Sequence, residues 1–249
     1  MLERHTKILD ILTKLKKIPL RELAAKLNCS EITVRRDLKD SELEKLIYLK
    51  SSIVYLREHE LNPFFTYSSD VNLAEKQRIA KYVVNLLEPG NVIALDIGST
   101  NFEIAKELLQ FTGHLIIFTT SIECAYILSN NEQFEVYIVP GRVRKNRYVS
   151  VGNLASDFIT MFNYDYYFLG AAGIEGNHIY DYIIEEAHIK KKFIAQSEQT
   201  FVVVDHSKFG NKALVKVVSL NQVKQIVTDH LPDKYVKELQ HKTTILRED

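Results

Sequence analysis

The sequence predicts an N-terminal winged helix-turn-helix unit, mainly α, followed by an α/β domain with a mostly parallel sheet. In the first forty residues, apolar side chains recur at helical spacing. From about residue 74 onward, short apolar runs alternate with helical segments, an order typical of parallel sheets. Basic residues are concentrated at the front: residues 1–57 carry 13 Lys and Arg against 8 Asp and Glu, although the whole chain has zero formal net charge.

Composition limits the class of protein. The chain has 249 residues, 46% of them apolar, enough for one medium and one small domain. Its two cysteines, Cys29 and Cys124, are too few and too far apart for a disulfide framework or a structural zinc site. We therefore expect a reducing, cytoplasmic setting, no metal and no cofactor. No stretch approaches the ~20 apolar residues of a membrane-spanning helix, so no membrane partner is expected.

The front of the chain predicts three helices and a hairpin. The first helix covers about residues 3–16, and the second covers 20–27 after Pro19. Ser30 is a good N-cap for the third helix. Two apolar runs, 46–49 and 53–56, are separated only by Lys50, Ser51 and Ser52, and this pattern predicts the hairpin of a wing.

In a helix-turn-helix unit, the N-terminal part of the last helix faces the bases of the major groove. Arginine suits this place because its planar fork pairs with guanine edges or with phosphate oxygens. The alternative is a three-helix packing module whose basic residues are merely solvated. The candidate DNA-binding residues are Ser30, Glu31, Thr33, Arg35 and Arg36.

Residues 4–46 resemble the DNA-binding domain of the DeoR family of bacterial regulators. The segments that carry the resemblance are 18–24 and 30–38, and Thr-Val-Arg-Arg-Asp-Leu at 33–38 is the most specific part. The resemblance implies operator DNA as a partner. That family usually has a His-Gly-Gly turn in the wing, where this chain has Lys-Ser-Ser at 50–52.

A linker is predicted between the two parts of the chain. Asn62-Pro63 and Ser68-Ser69-Asp70 break any periodicity between Arg57 and Leu73. The predicted organisation is therefore a winged helix-turn-helix domain at 1–57, a linker at 58–73, and an α/β effector-binding and oligomerisation domain at 74–249.

Within the second part, strands and helices alternate. The predicted strands cover residues 92–95, 115–118, 135–139, 166–169, 200–204 and 225–227. The predicted helices cover residues 74–87, 102–109, 122–128, 156–161 and 185–196.

The strand at 92–95 is followed by Asp-Ile-Gly-Ser-Thr and then by a helix, an order that builds a phosphate cradle. Polar motifs also follow the other strands, and ligands of such sheets bind beyond the carboxyl ends of the strands. We expect hydroxyls to hold a phosphate, Arg142 and Lys208 to supply positive charge, and Asp96 or Asp205 to accept from sugar hydroxyls. The candidate effector-binding residues are Asp96, Gly98, Ser99, Thr100, Thr120, Ser121, Arg142, Gly170, Asp205 and Lys208.

Each of these features also has a plainer interpretation. A lone Gly-Ser-Thr is most often a simple strand-to-helix turn. Arg142 could equally belong to a solvated basic loop with Arg144, Lys145 and Arg147.

This second part is also similar to the DeoR family, whose effector domain shares the fold of ribose-5-phosphate isomerase. The matching segments run from Glu75-Lys76 through the loop at 96–100 to Thr228-Asp229, and they include Glu186-Ala187 with Lys190. The resemblance implies that the effector is a phosphorylated sugar or a related metabolite. It also adds Lys190 to the candidate effector-binding residues.

Three rival functions share features of this sequence. An isomerase-like enzyme would need a carboxylate base, for which Asp96, Asp165, Glu185 or Glu186 are available, but it would have no use for the front domain. The loop at 96–101 is similar to that of sugar kinases, where a hairpin rather than a helix follows. An effector-blind DNA-binding protein with a rear oligomerisation domain remains open. The sequence therefore predicts a non-enzymatic transcriptional regulator, a repressor, acting as a homo-oligomer of two or more chains because one winged helix covers one half-site.

Overall fold

The computed structural model describes residues 2–15, 17–38, 47–56, 71–144 and 147–246. The chain forms two compact units that divide between Pro63 and Phe64. Most of the linker predicted at 58–73 lies outside the described residues, so its bounds stay a prediction. None of the described helices is long and apolar enough to cross a membrane.

The first unit contains the predicted helix-turn-helix and hairpin. The sequence also predicts that the third helix continues through Leu38 to Leu43, and its part beyond Leu38 lies outside the described residues. A three-residue strand ahead of the second helix was not predicted, since it is too short to show alternation. The elements are α1 (Leu2–Leu15), β1 (Lys17–Pro19), α2 (Leu20–Lys26), α3 (Glu31–Asp37), β2 (Ile47–Lys50) and β3 (Ile53–Leu56).

The wing is closed by a two-residue turn that contains no glycine. Ser51 and Ser52 have φ values of 49° and 61°, as a tight hairpin turn that matches the strand twist requires. The backbone N–H of Leu20 donates to Ser52 O at 2.9 Å, which ties the turn to the start of α2. β3 pairs with β2 on one side and with β1 on the other. The wing therefore forms with serines in its turn.

The second unit follows the predicted alternation. Its helices are α4 (Leu73–Val84), α5 (Ser99–Leu108), α6 (Ile122–Leu128), α7 (Asn153–Ile159), α8 (Ile184–Gln196) and α9 (Asp233–Leu239). Its strands are β4 (Val92–Leu95), β5 (Leu115–Thr119), β6 (Phe134–Ile138), β7 (Arg142–Arg144), β8 (Val149–Val151), β9 (Tyr164–Leu169), β10 (Gly173–Glu175), β11 (His178–Asp181), β12 (Ser197–Val203), β13 (Val215–Ser219), β14 (Gln225–Thr228) and β15 (Thr243–Ile245).

Seven of these strands form one parallel sheet in the order β15-β14-β12-β9-β4-β5-β6. The prediction of a mostly parallel sheet is confirmed. Both faces are covered, since Ile93 and Leu95 pack into one apolar cluster and Ala94 packs into the other. The antiparallel strands β10, β11 and β13 and the β7–β8 hairpin were missed, because these short strands mix polar with apolar residues, whereas β4 and β5 are continuous apolar runs.

The strand order reverses at β4. The chain passes from β4 to β5 on one side, and β9 later adds on the other side. In open α/β sheets, this reversal opens a crevice beyond the carboxyl ends of the two central strands. Here the crevice lies where β4 ends at Leu95 and β9 ends at Leu169.

Candidate functional site

The third helix of the first unit is held by its own caps and by one ion pair. The Ser30 Oγ accepts from the Thr33 backbone N–H at 3.2 Å, so the predicted N-cap is confirmed. The guanidinium of Arg4 donates to both carboxylate oxygens of Asp37, at 2.5 and 2.9 Å. These contacts fix where α3 begins and how it is rotated against α1.

Four side chains of α3 point to solvent: Glu31, Ile32, Arg35 and Arg36 are exposed, whereas Val34 is fully buried. Among the described residues, neither arginine makes an ion pair. Ile32, 80% exposed, was not among the sequence candidates, because an apolar residue on a short helix is normally assigned to the core. Its contact with a base would be apolar, as with a thymine methyl.

At the crevice of the second unit, three of the predicted residues contact one another. The Lys190 ammonium lies 2.9 Å from Asp96 Oδ2 and donates to Gly170 O at 2.8 Å. Asp96 Oδ2 also accepts from the Gly170 backbone N–H at 2.9 Å. Asp181, which sequence reasoning missed, lies 2.7 Å from Lys190. The group therefore joins the end of β4 to the end of β9 beside the crevice.

This group is buried, and its charges determine its protonation. Burial alone would lower the pKa of Lys190, but Asp181 and Asp96 outweigh it and raise the pKa above the ordinary value. Burial would raise the pKa of Asp181, yet the charge and hydrogen bond of Lys190 lower it overall. For Asp96, burial prevails over Lys190 and raises the pKa. The lysine is thus held as a cation by two carboxyl groups.

The predicted cradle lies directly beside this group. Gly98 adopts φ 116°, a left-handed conformation that favours glycine, and the helix α5 starts at Ser99 rather than at the predicted residue 102. The side chains of Ser99, Thr100 and Asn101 are buried. The side-chain amide oxygen and nitrogen of Asn101 have no hydrogen-bond partner among the described residues. Asn101 lies beside Gly170: a Cβ added to Gly170 would stand 3.3 Å from Asn101 Nδ2.

Thr120 and Ser121 follow the neighbouring strand β5. Ser121 Oγ caps α6 by accepting from the Cys124 backbone N–H at 3.2 Å. Thr120 lines a cleft together with residues from the strand ends, the β7–β8 hairpin and α8. The lining residues include Asp96, Ile97, Thr120, Ser150, Glu186 and Ile189.

The basic hairpin that contains Arg142 faces α8. Arg144 and Arg147 lie 2.6 and 3.3 Å from the buried carboxylate of Glu186. Burial raises the pKa of Glu186 although Arg147 opposes the shift. Arg142 itself is 63% exposed and pairs with Glu185 at 2.6 Å. Arg142 therefore contacts α8 through an exposed ion pair.

Asp205 and Lys208 follow β12, one strand beyond β9. Buried Asp205 accepts from the side-chain amide of Asn72 at 2.8 Å and from the Ser207 backbone N–H at 3.0 Å. Lys76, also buried, donates to Val71 O at 2.5 Å. Burial lowers the pKa of Lys76, while the charge of Asp205 raises it and that of Lys208 lowers it further. The loop after β12 is thus joined to the first residues of α4.

Among the described residues, no group of three His, Cys, Asp or Glu side chains could hold a metal ion.

These two units define a class of protein: a helix-turn-helix DNA-binding protein that also carries a sensor domain. The family model described as "DeoR-like helix-turn-helix domain" matches residues 4–49, and "DeoR C terminal sensor domain" matches residues 71–230. The chain belongs to the DeoR family of transcriptional regulators.

Curated relatives align along almost the whole chain. The "Glycerol-3-phosphate regulon repressor" of Haemophilus influenzae is 30% identical over 98% of this chain and 95% of its own length. The protein of the same name from Escherichia coli K12 is 29% identical over 95% of this chain and 94% of its own. Ribose 5-phosphate isomerase A from Methanocaldococcus jannaschii aligns with 55% of each chain at 20% identity and a TM-score of 0.40.

Proposed function

We propose that this protein is a repressor that reads operator DNA through α3 and binds a phosphorylated sugar or related metabolite at the crevice beyond β4 and β9. The observation that carries the proposal is the start of α5, where Gly98 and the buried side chains of Ser99 and Thr100 meet the switch point of the sheet. Two relatives named as glycerol-3-phosphate regulon repressors support a small phosphorylated effector.

The chemistry of the crevice favours a phosphate. The first hydrogen bond within α5 runs from the Phe102 backbone N–H to Gly98 O, at 2.9 Å, so the N–H groups before Phe102 are not used by the helix itself. A helix N-terminus carries partial positive charge, and its amides and neighbouring hydroxyls suit an anion. Lys208 has no ion-pair partner among the described residues. It adds a cation after β12, the strand on the far side of β9 from β4. The buried side-chain amide of Asn101, which has no hydrogen-bond partner among the described residues, offers a donor and an acceptor to the remainder of the ligand.

Binding without turnover fits the carboxylates better than catalysis does. An isomerase needs a carboxylate that is available to move a proton. Asp96 is engaged by Lys190 and by the Gly170 N–H, and Glu186 is engaged by Arg144 and Arg147. Both acids thus serve as structural partners.

The contacts around Asn72 support coupling between effector and DNA. Asn72 lies at the end of the predicted linker and donates to Asp205, which begins the loop that carries Lys208. A ligand whose phosphate attracts Lys208, or whose hydroxyl groups donate to Asp205, would also act on Asn72. The effector would thereby change the population of DNA-competent dimers.

The experiment is a mobility shift with the DNA upstream of the protein's own gene, with and without glycerol 3-phosphate, ribose 5-phosphate and glucosamine 6-phosphate. Glycerol, ribose and glucosamine serve as matched controls without phosphate. We expect at least one phosphorylated compound to weaken DNA binding and to raise the melting temperature of the protein, and its unphosphorylated counterpart to do neither.

The variants Ser99→Ala and Lys208→Ala separate the two halves of the proposal. Each should reduce the ligand-induced rise in melting temperature and leave DNA binding in the absence of ligand unchanged. A panel that changes neither melting temperature nor DNA affinity would instead favour an effector-blind DNA-binding protein.

A further inference from the structure

Among the described strands, one edge of the parallel sheet lacks most of the features that normally protect a sheet edge. β6 is an outer strand, and its register with β5 is regular from Phe134 to Ile138, without a bulge. Its sequence, Phe-Glu-Val-Tyr-Ile, contains no lysine, proline or glycine, and its one charged side chain, Glu135, accepts a hydrogen bond from Tyr137. Proteins usually protect long outer strands with such residues, with bulges or by making the strand very short. The opposite outer strand, β15, has only three residues.

Apolar side chains surround this edge. Tyr137 and Ile138 are 36% and 45% exposed, and Tyr126 on the neighbouring helix α6 is 73% exposed. The Tyr137 ring stacks on Phe118 at 4.7 Å between centroids and lies 6.4 Å from the ring of Phe162, the neighbour of the exposed Met161. Tyr126, Tyr137, Ile138 and Met161 together are here called the β6 edge.

We propose that the β6 edge pairs with the β6 edge of a second copy, antiparallel, about a two-fold axis through Val136. In that register Tyr137 lies opposite the Glu135 of the other copy, and Phe134 lies opposite Ile138. Tyr137 and Glu135 are a matched donor and acceptor, since the Tyr137 hydroxyl donates to Glu135 within one chain. In the paired strands the same hydroxyl also faces the Glu135 carboxylate of the other copy. Phe134 covers the exposed Ile138, and the outward-facing backbone groups of both strands become paired.

The strand is self-complementary in this register, and this favours a second copy of the chain over an unrelated partner. A two-fold axis brings the same residues together twice, so each favourable pair counts double. This interface would supply the dimer that the proposed function needs to bind two half-sites. Its support comes from β6 and the neighbouring side chains, not from the effector site.

The test measures the dimer dissociation constant of the full chain by sedimentation equilibrium, without DNA and without effector. Tyr137→Glu places like charges opposite each other at two symmetric positions, and we expect the dissociation constant to rise about tenfold or more. Adding Glu135→Lys to Tyr137→Glu restores opposite charges across the axis, and dimerisation should return to within about threefold of the parent. Leu214→Glu, at an apolar side chain that is 76% exposed outside the β6 edge, is the control and should change nothing.

Circular dichroism melting checks that each variant folds. Because Tyr137 also stacks on Phe118, Ile138→Lys provides a second variant, which should weaken the dimer without touching that stack. The proposal is overturned if the parent is monomeric, if neither Tyr137→Glu nor Ile138→Lys weakens the dimer, or if Glu135→Lys fails to rescue. These results are independent of the sugar-phosphate panel, so either proposal can fail alone.

Discussion

The helix α3, proposed to read DNA, and the crevice beyond β4 and β9 use charge in opposite ways. In α3, Arg35 and Arg36 stand exposed, and no described residue forms an ion pair with them. At the crevice, Lys190 is buried and lies within 3 Å of Asp96 and Asp181. Exposed, uncommitted cations suit a polyanion such as DNA, whose binding then depends strongly on salt. Buried ions that are paired with one another instead stabilise the local fold.

The contrast explains how one chain can serve two ligands. Under the proposed function, DNA would meet exposed side chains, whereas a small effector would meet a hydrogen-bonded strand-end junction with hydroxyls and a helix start beside it. Mutations should therefore act on affinity in α3 and on folding in the Lys190 group.

The largest effect is expected from Lys190→Met. Removing the ammonium leaves Asp96 and Asp181 buried without their cation, and breaking a buried pair in this way typically costs ~3–5 kcal/mol. Urea denaturation should show this loss in the free energy of unfolding. Lys191→Met changes the next, exposed residue and should cost less than ~0.5 kcal/mol. Equal effects of the two variants would show that Lys190 is not buried among acids.

Next in size is Arg35→Ala. If the side chain reads a base or a phosphate, DNA affinity should fall by ~1–3 kcal/mol, which fluorescence anisotropy can follow. The effector-induced rise in melting temperature should stay the same, because the two sites belong to separate units. Lys212→Ala, which removes the same charge from the second unit, is the control. Normal operator binding by Arg35→Ala would remove that residue from the interface.

Asn72→Gly tests the junction between the loop after β12 and α4. Asn72 has φ 55°, so glycine preserves the backbone while deleting the amide that donates to Asp205. We expect effector binding to persist and the coupling to DNA, typically ~1–3 kcal/mol, to shrink. Calorimetry with and without operator DNA measures both quantities. If the coupling between effector and DNA stays the same, the contact between Asn72 and Asp205 does not transmit it.

The smallest effect concerns the acid sensitivity of the first unit. The hydrogen bond from Arg4 lowers the pKa of Asp37 despite some burial. Because the folded pKa lies below the ordinary value of 3.8, the ion pair stabilises the unit above about that pH and is lost as the pH falls through the folded pKa. Asp37→Asn should flatten the melting temperature of the unit over that range, measured by circular dichroism. An unchanged pH profile would contradict the assignment.

The order of helices and parallel strands was predictable from the sequence because apolar periodicity is local. The start of α5 was misplaced by three residues, since the pattern does not reveal that Gly98 turns the chain with φ 116°. Strands such as β11 are short and mix polar with apolar residues, so they show no clear pattern. Asp181, the last residue of β11, was missed for the same reason. The partners of Lys190 could not be derived either, because they are set by which strands lie side by side.

Effector binding and DNA binding must weaken each other by the same factor if they are coupled. The most direct test is therefore isothermal titration of the full protein with the phosphorylated compound that shifts its melting temperature, with and without saturating operator DNA. We predict that the DNA raises the ligand dissociation constant by the same factor by which the ligand raises that of DNA. Identical ligand affinities with and without DNA would contradict the coupling of the two units.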